Sequence, residues 1–116
     1  MGAIIRKSAA NGKQYQFICN SWETRNSWGH AVTLYDPNDR ELNSVRVRYY
    51  NRTWERYQYQ SAAQSCIYEV IQRAEARTVD AWKEANGRKR ITKDERAAIV
   101  AASEYVQELR SVYNSL

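Results

Sequence analysis

The chain has little of what enzyme active sites and metal sites are usually built from. Its 116 residues include one histidine, His30, and two cysteines, Cys19 and Cys66. One histidine and two cysteines without close spacing are too few ligands for a typical zinc site. The four glycines are scattered singly along the chain, so they do not form a loop that cradles phosphate. We therefore expect a protein that is not an enzyme and that uses neither a metal nor a cofactor.

The remaining nucleophile and base are a cysteine and the histidine. Cys19 ends one predicted strand and His30 opens another, so a hairpin could bring them into hydrogen-bond contact. Both residues also suit structural positions, and Cys66 lies in the middle of a predicted helix. We interpret both thiols as reduced core residues of an intracellular protein.

Long apolar runs are also missing. No run approaches the roughly 18 residues that a membrane span needs, and the N-terminus lacks the apolar segment of a signal peptide. We therefore expect no membrane contact and a cytoplasmic location. A hydrophobic fraction of 43%, with nine tyrosines and four tryptophans, excludes a disordered chain. The length fits one domain over residues 1–116.

The first part of the chain, residues 1–50, has the alternating pattern of a β-sheet. Asn11-Gly12 predicts a hairpin turn because both residues tolerate positive φ, and Pro37 predicts a turn after the third strand. Ser21–Gly29 is predicted as a loop that holds two tryptophans. The four predicted strands are Ala3–Ser8, Gln14–Asn20, His30–Tyr35 and Asn43–Tyr50.

The rest of the chain predicts two helices. The first covers residues 53–86, with Thr53 as N-cap and Gly87 as its stop, and we expect a break near residues 78–80. The second covers residues 92–115 and begins with a capping box of Thr92 and Glu95. Its apolar seam is Ile99, Ala102, Val106, Leu109, Tyr113 and Leu116. The expected fold class is α+β, a four-stranded antiparallel sheet followed by two antiparallel helices on one sheet face, in the order ββββαα.

Positive charge is concentrated in two short stretches, which we call the first basic segment (residues 46–56) and the second basic segment (residues 88–96). Lys and Arg number 18 against 13 acids, for a net charge of +5, and each segment alone carries +3. Such clustering indicates a contact site for an anionic partner, although two solvated surface turns would give the same pattern. The candidate binding residues are Arg46, Arg48, Tyr50, Arg52, Arg56, Arg88, Lys89 and Arg90.

The chemistry of the first basic segment suits two kinds of contact. Arg46 and Arg48 project from one strand face about 7 Å apart, and guanidinium groups bind phosphates or carboxylates bidentately. Tyr50 can offer its ring to an unpaired base. The alternative is structural, because the arginines could instead stack on neighbouring rings or pair with acids of the chain.

Residues 49–57 carry a recognisable motif, Tyr-Tyr-Asn-Arg-Thr-Trp-Glu-Arg-Tyr. It resembles a signature of small, mostly uncharacterised proteins of bacteriophages and other mobile elements, in which a strand ending in Tyr-x-Asn-Arg-Thr-Trp-Glu continues into an aromatic-rich helix. The resemblance covers roughly residues 30–75. It carries no assigned activity. It implies action by stoichiometric binding, with inhibition of a host defence complex, such as a CRISPR effector, as the expected task.

Three partner classes follow from these features. The first is a host protein or ribonucleoprotein complex in the cytoplasm of the bacterial host, bound by an anti-defence protein. The second is DNA or RNA, contacted directly by a small basic nucleic-acid-binding protein. The third is a second copy of the chain in an assembly protein, with Tyr105 and Tyr113 available for a homodimer contact.

Overall fold

The computed structural model describes residues 2–49 and 55–116. Within these residues the chain forms a four-stranded antiparallel sheet in the order β1-β2-β3-β4, followed by three helices. The predicted α+β class is confirmed, but the two expected helices are three. The elements are β1 (Gly2–Ser8), β2 (Gln14–Glu23), β3 (Trp28–Tyr35), β4 (Glu41–Tyr49), α1 (Glu55–Ala85), α2 (Lys93–Ala101) and α3 (Glu104–Ser115).

The first and last hairpin turns form where the sequence predicts them. Gly12 has φ of 85°, and the Ala9 N–H donates to the Lys13 carbonyl at 2.8 Å to close the β1–β2 turn. In the β3–β4 turn, the Asp36 carboxylate accepts the backbone N–H groups of Asn38 and Arg40, each at 2.9 Å. Local side-chain chemistry therefore sets both turns.

The β2–β3 hairpin is longer than predicted. β2 continues to Glu23 and β3 begins at Trp28, so Trp22 and Gly29 lie opposite each other in paired strands. The Thr24 N–H donates to the Ser27 carbonyl at 2.7 Å and closes the turn. The predicted loop over residues 21–29 is wrong, because the alternation that buries Phe17 continues past residue 20 and aromatic residues favour strands.

One face of the sheet packs on the helices. α1 crosses β3 and β4, while α3 reaches β1. Asn43 of β4 ties the sheet to α1, because its amide donates to the Cys66 carbonyl at 3.0 Å and to the Glu69 carboxylate at 2.7 Å. The buried core between the layers includes Tyr15, Phe17, Cys19, Val32, Leu34, Ala63, Cys66, Ile67, Val106, Leu109 and Val112.

Helix α1 continues through residues 78–80, so the expected break there is wrong. The Thr78 hydroxyl donates to the Ala74 carbonyl at 2.7 Å, and Val79 is buried in the core. Tertiary packing therefore outweighs the weak helix propensity of these residues. The helix stops at Gly87 as predicted, with φ of 62° and a bond of 2.9 Å from the Arg88 N–H to the Lys83 carbonyl.

The predicted continuous helix over residues 92–115 is wrong, because α2 and α3 are separate helices. The capping box of Thr92 and Glu95 starts α2 as expected. Ser103 is extended (φ −79°, ψ 112°), and its hydroxyl accepts the Val106 N–H at 3.3 Å, which caps a new helix. Ala102, expected in the apolar seam, is instead the exposed C-cap of α2.

Helix α3 runs antiparallel to α1. Arg110 pairs with Glu75, and the Tyr113 ring lies 6.2 Å from that of Tyr68. Of the two tyrosines predicted for a homodimer contact, Tyr105 is 44% exposed, whereas Tyr113 packs within the chain. The packing of α3 on α1 therefore already uses Tyr113, one of the two tyrosines of the predicted homodimer contact.

Candidate binding surface on the open face of the sheet

The sheet face opposite the helices is the one that carries the predicted arginines. Within the described residues no helix packs on this side, which we call the open face. Side chains on β4 alternate, so that Val45 and Val47 are half-buried toward the helices while Arg46 and Arg48 are exposed. The register then places Arg46 beside Ala31 in the neighbouring strand.

The two arginines lie over one aromatic ring. The guanidinium carbon of Arg46 is 4.8 Å, and that of Arg48 is 5.3 Å, from the centroid of the Trp22 ring. Trp22 belongs to β2 and the arginines to β4, so the indole spans the intervening strand. A cation over an indole face is attracted by the ring quadrupole, by about 0.5–1 kcal/mol at exposed sites. We call these three residues the Arg–Trp cluster.

Gly29 makes this arrangement sterically feasible. A Cβ atom added to Gly29 would lie 2.7 Å from the Trp22 ring and 2.1 Å from the Val47 carbonyl oxygen. The indole therefore crosses β3 directly above a residue that has no side chain. A glycine inside a strand commonly marks such a close approach.

Arg46 and Arg48 form no ion pair with the described side chains. Among residues 2–48 and 59–116, no carboxylate lies within salt-bridge distance of Arg46 or Arg48. In the described part of the chain, the buried Nε1 of Trp22 also has no hydrogen-bond acceptor. Glu41 is the nearest acid in sequence on the open face of β4. It lies opposite Tyr35 of β3, at the far end of the strand from Arg46 and Arg48. Two of the exposed arginines of the open face therefore lie together at the Arg–Trp cluster, whereas Arg6 of β1 lies in the same cross-strand row as Glu41.

Other predicted members of the first basic segment fall outside what the structure describes. Tyr50 and Arg52 lie outside the described residues, as does the predicted N-cap, Thr53. Arg56 belongs to the first turn of α1, and its side chain is also outside the description. Their membership of the binding surface stays a prediction.

The second basic segment is organised differently. Arg88 pairs with Glu95 at 2.9 Å, lies 5.6 Å from the Trp82 ring centroid, and donates to the Arg90 carbonyl at 3.1 Å. The hydrogen bond from Arg88, together with that from the Thr92 backbone, lowers the pKa of Glu95. Arg88 is therefore part of the structure that ends α1 and starts α2.

The structure does not bring the two basic segments together. Helix α1 passes the cluster end of the sheet near Tyr59, whose hydroxyl lies 2.5 Å from the Ser21 hydroxyl. Lys89 and Arg90 are at the surface beyond the opposite end of α1. The helix between them is about 40 Å long at 1.5 Å per residue. One compact ligand cannot contact both segments.

Cys19 and His30, which a hairpin could have brought together, are not cross-strand partners. His30 is buried opposite Ser21, whose hydroxyl lies 3.1 Å from Nδ1, whereas Cys19 is opposite Val32. Burial raises the pKa of the Cys19 thiol to about 11 and that of Cys66 to about 12. Both cysteines are free and buried, and both stay protonated at neutral pH, as expected for core residues rather than nucleophiles.

Comparison of the chain with protein-family models, with curated proteins and with solved structures gives no match. Among the described residues, none of the helices has the length and apolar character needed to cross a membrane. The same residues contain no cluster of three or more potential metal ligands. The geometry of the open face and the motif of residues 49–57 are therefore the remaining indications of function.

Sequence reasoning missed two residues of the site, Trp22 and Gly29. Both were placed in a loop, although a signal for the strand was present. Tyr15, Phe17 and Cys19 point inward, and continuing that alternation assigns residue 21 to the covered face and residue 22 to the open face. What no pattern indicated was that the indole would cross to the arginines two strands away.

Proposed function

We propose that this chain is a non-enzymatic binding protein that docks the Arg–Trp cluster onto an anionic surface of another macromolecule. In the mobile-element context implied by residues 49–57, the proposed partner is a host defence complex, such as a CRISPR effector. Stoichiometric occupation of that complex would inhibit it.

The observation that carries the proposal is the pair of guanidinium groups held over Trp22, for which the described side chains provide no carboxylate partner. Surface arginines often satisfy their charge within the chain, as Arg88 and Arg110 do. Arg46 and Arg48 instead keep their N–H donors available for an external phosphate or carboxylate, which guanidinium binds bidentately. Contact with the ring restricts their rotamers before binding, so less side-chain entropy is lost when a partner arrives.

The proposal is tested by plasmid interference in a bacterium with an active CRISPR effector. Expression of the protein should restore transformation by a targeted plasmid, and the protein should co-elute with the purified effector complex. The variant Arg46→Ala/Arg48→Ala should lose both properties, with binding weakened at least about 10-fold, because desolvated charge pairs contribute 2–5 kcal/mol when truncated.

The matched control is Lys89→Ala/Arg90→Ala, which also removes two exposed positive charges but from the second basic segment. It should retain inhibition and co-elution. Lys89→Ala/Arg90→Ala should keep the free energy of unfolding of the parent protein within about 0.5 kcal/mol. Arg46→Ala/Arg48→Ala should stay folded but lose about 1–2 kcal/mol, because both contacts with the Trp22 ring are removed. Equal loss in both variants would contradict the assignment of the site, and full activity of Arg46→Ala/Arg48→Ala would refute it.

A further inference from the structure

We infer that the occupant of the open face is a single strand of nucleic acid that crosses β4, β3 and β2 at the Arg–Trp cluster. The inference rests on the proposed function, because it identifies the partner chemistry of the same site. An acidic protein surface is the competing occupant.

The shape of the open face favours an unpaired strand over a duplex. Of the three described helices, α1 and α3 pack on the other face of the sheet and α2 packs on α1 and α3, so none projects from the open face to enter a groove. Direct reading of duplex DNA requires a helix or a β-ribbon that inserts into the major groove. A broad sheet surface instead suits single strands, whose unstacked bases can lie against it.

Side chains of different chemistry are arranged in rows across the strands. Arg48, Gly29 and Trp22 form one row, and the next contains Arg46, Ala31 and Asn20. In the second row, the side chains of Ala31 and Asn20 are shorter than the indole of Trp22 beside them. The row beyond it contains Ser44, Thr33, Ile18 and Ile4, of which Ile4 is 51% exposed.

This order matches the parts of a nucleotide chain. The guanidinium groups of Arg46 and Arg48 can donate to phosphate oxygens and can also serve as planes on which a base stacks. Asn20 is exposed beside Ala31, and its amide carries both a donor and an acceptor for a base edge. The apolar side of a base can then rest against Ile18 and Ile4.

Charge distribution argues against a broad acidic protein surface as the occupant. The two guanidinium groups of the Arg–Trp cluster lie at one end of the open face, whereas the other end has mixed charge, with Arg6 and Arg40 as well as Glu41, Asp36 and Asp39. An acidic patch wide enough to cover the whole face would also meet these carboxylates. A polyanion one chain wide can cross at the cluster and avoid them.

The test measures fluorescence anisotropy of a labelled 12-nucleotide RNA of mixed sequence, of the matching DNA single strand, and of the corresponding duplexes. We expect the single strands to bind at least about 10-fold more tightly than the duplexes, because only unpaired bases can stack on side chains of the open face. A labelled polyglutamate peptide of equal charge should bind more weakly than either single strand.

Three variants locate the strand. The plot of log association constant against log salt concentration has a negative slope, to which each phosphate contact contributes about 0.7 for single strands. Arg46→Ala/Arg48→Ala removes two such contacts, so the magnitude of this slope should fall by about 1.4. Arg46→Lys/Arg48→Lys should keep that salt slope but bind less tightly, because it preserves charge and removes the planar group. Lys89→Ala/Arg90→Ala should leave both the affinity and the slope unchanged.

The inference and the proposed function fail in different ways. If nuclease treatment leaves co-elution with the defence complex intact while the oligonucleotides do not bind, the occupant is a protein surface and only the inference is overturned. Equal binding of duplex and single strand, or an unchanged salt slope in Arg46→Ala/Arg48→Ala, also overturns it. If that variant retains inhibition and co-elution, the proposed function itself is wrong.

Discussion

The two basic segments have the same net charge in sequence and opposite roles in the structure. In the second segment, Arg88 is neutralised by Glu95 and helps to define the turn between α1 and α2. In the first, Arg46 and Arg48 lie over Trp22, and the described side chains provide no carboxylate for them. Counting charges along a chain therefore does not measure how much charge is available to a partner. Availability depends on which groups the fold places next to each arginine.

Aromatic rings contact arginines in both segments, so a ring alone does not distinguish them. The Arg88 guanidinium is 5.6 Å from the Trp82 ring and still pairs with an acid. The difference is the position of the nearest carboxylates. Glu95 lies seven residues from Arg88 in a capping box, whereas the strand register around Arg46 and Arg48 places small residues, Ala31 and Gly29, beside them.

The largest expected effect comes from the glycine beneath the Arg–Trp cluster. Gly29→Ala places a methyl group against the Trp22 ring and the Val47 carbonyl, and we expect the free energy of unfolding to fall by about 3 kcal/mol. Partner binding should fall as well, because the displaced indole no longer positions Arg46 and Arg48. Urea unfolding followed by circular dichroism, together with the binding assay, measures both.

The matched glycine in the comparison is Gly87, next to the second basic segment. A Cβ atom there meets nothing within 4 Å, but φ of 62° makes alanine unfavourable, by about 1 kcal/mol. Gly87→Ala should therefore destabilise the chain less than Gly29→Ala and leave partner binding unchanged. Similar stability of the Gly29→Ala variant and the parent protein would contradict the packing argument.

A smaller effect is expected at the joint between β4 and α1. Asn43 bonds to the Cys66 carbonyl and the Glu69 carboxylate and accepts from Arg73 at 2.8 Å, so Asn43→Ala should cost about 2 kcal/mol. Ser44→Ala, on the open face of the same strand, removes one exposed hydrogen bond to Thr33 and should cost less than about 0.5 kcal/mol. Thermal unfolding of the two variants compares the covered face of β4 with its open face. An equal loss of stability in both would contradict the assignment of Asn43 to the contact between β4 and α1.

The smallest expected effect is a pH dependence of the free energy of unfolding. It should distinguish Glu108, which bonds to Tyr15 and Asn11, from Glu95, which pairs with Arg88. Burial raises the pKa of Glu108, but hydrogen bonds from Tyr15 and Asn11 and the Lys13 ammonium outweigh it, so the pKa is lowered. The ionised form is therefore favoured in the folded state. Ionised Glu108 therefore contributes its full stabilisation to the fold above its ordinary pKa of 4.5. This stabilisation is lost as pH falls through the lower pKa of the folded state.

Urea unfolding from pH 7 to pH 3 measures this loss. Glu108→Gln should be about 1 kcal/mol less stable than the parent at pH 7, and the difference should shrink on acidification. Glu95→Gln is the control from the second basic segment, and it should change stability less because Glu95 is solvent-accessible and glutamine still completes the capping box. A parent protein whose stability does not fall below pH 4.5 would contradict the role of Glu108.

Local signals in the sequence predicted a large part of the fold. Asn11-Gly12, Gly87 and the capping box of Thr92 and Glu95 act through their own backbone preferences, and each forms as expected. The division between α2 and α3 could also have been read locally, because Ser103 followed by Glu104 is an N-cap sequence. The regular spacing of apolar residues across this point obscured it.

The errors that remain have causes outside the local sequence. Thr78 and Val79 weaken a helix by propensity, but burial of Val79 against the rest of the core keeps α1 intact. The alternative of a cysteine–histidine pair was decided by the register of the longer β2–β3 hairpin, which places His30 opposite Ser21 and Cys19 opposite Val32. In both cases residues distant in sequence decided the outcome.

The sequence by itself determined the order of the four strands, the change to helix after them, the β1–β2 and β3–β4 turns, and the outward direction of Arg46 and Arg48, because these depend on backbone preferences and on the two-residue repeat of a strand. Only the tertiary structure decided that no carboxylate among the described side chains lies beside these arginines, that Trp22 reaches them across Gly29, and that Arg88 is neutralised by Glu95. The reason is that electrostatic and stacking contacts depend on distances between side chains that register and layer packing set, and no local pattern encodes those distances.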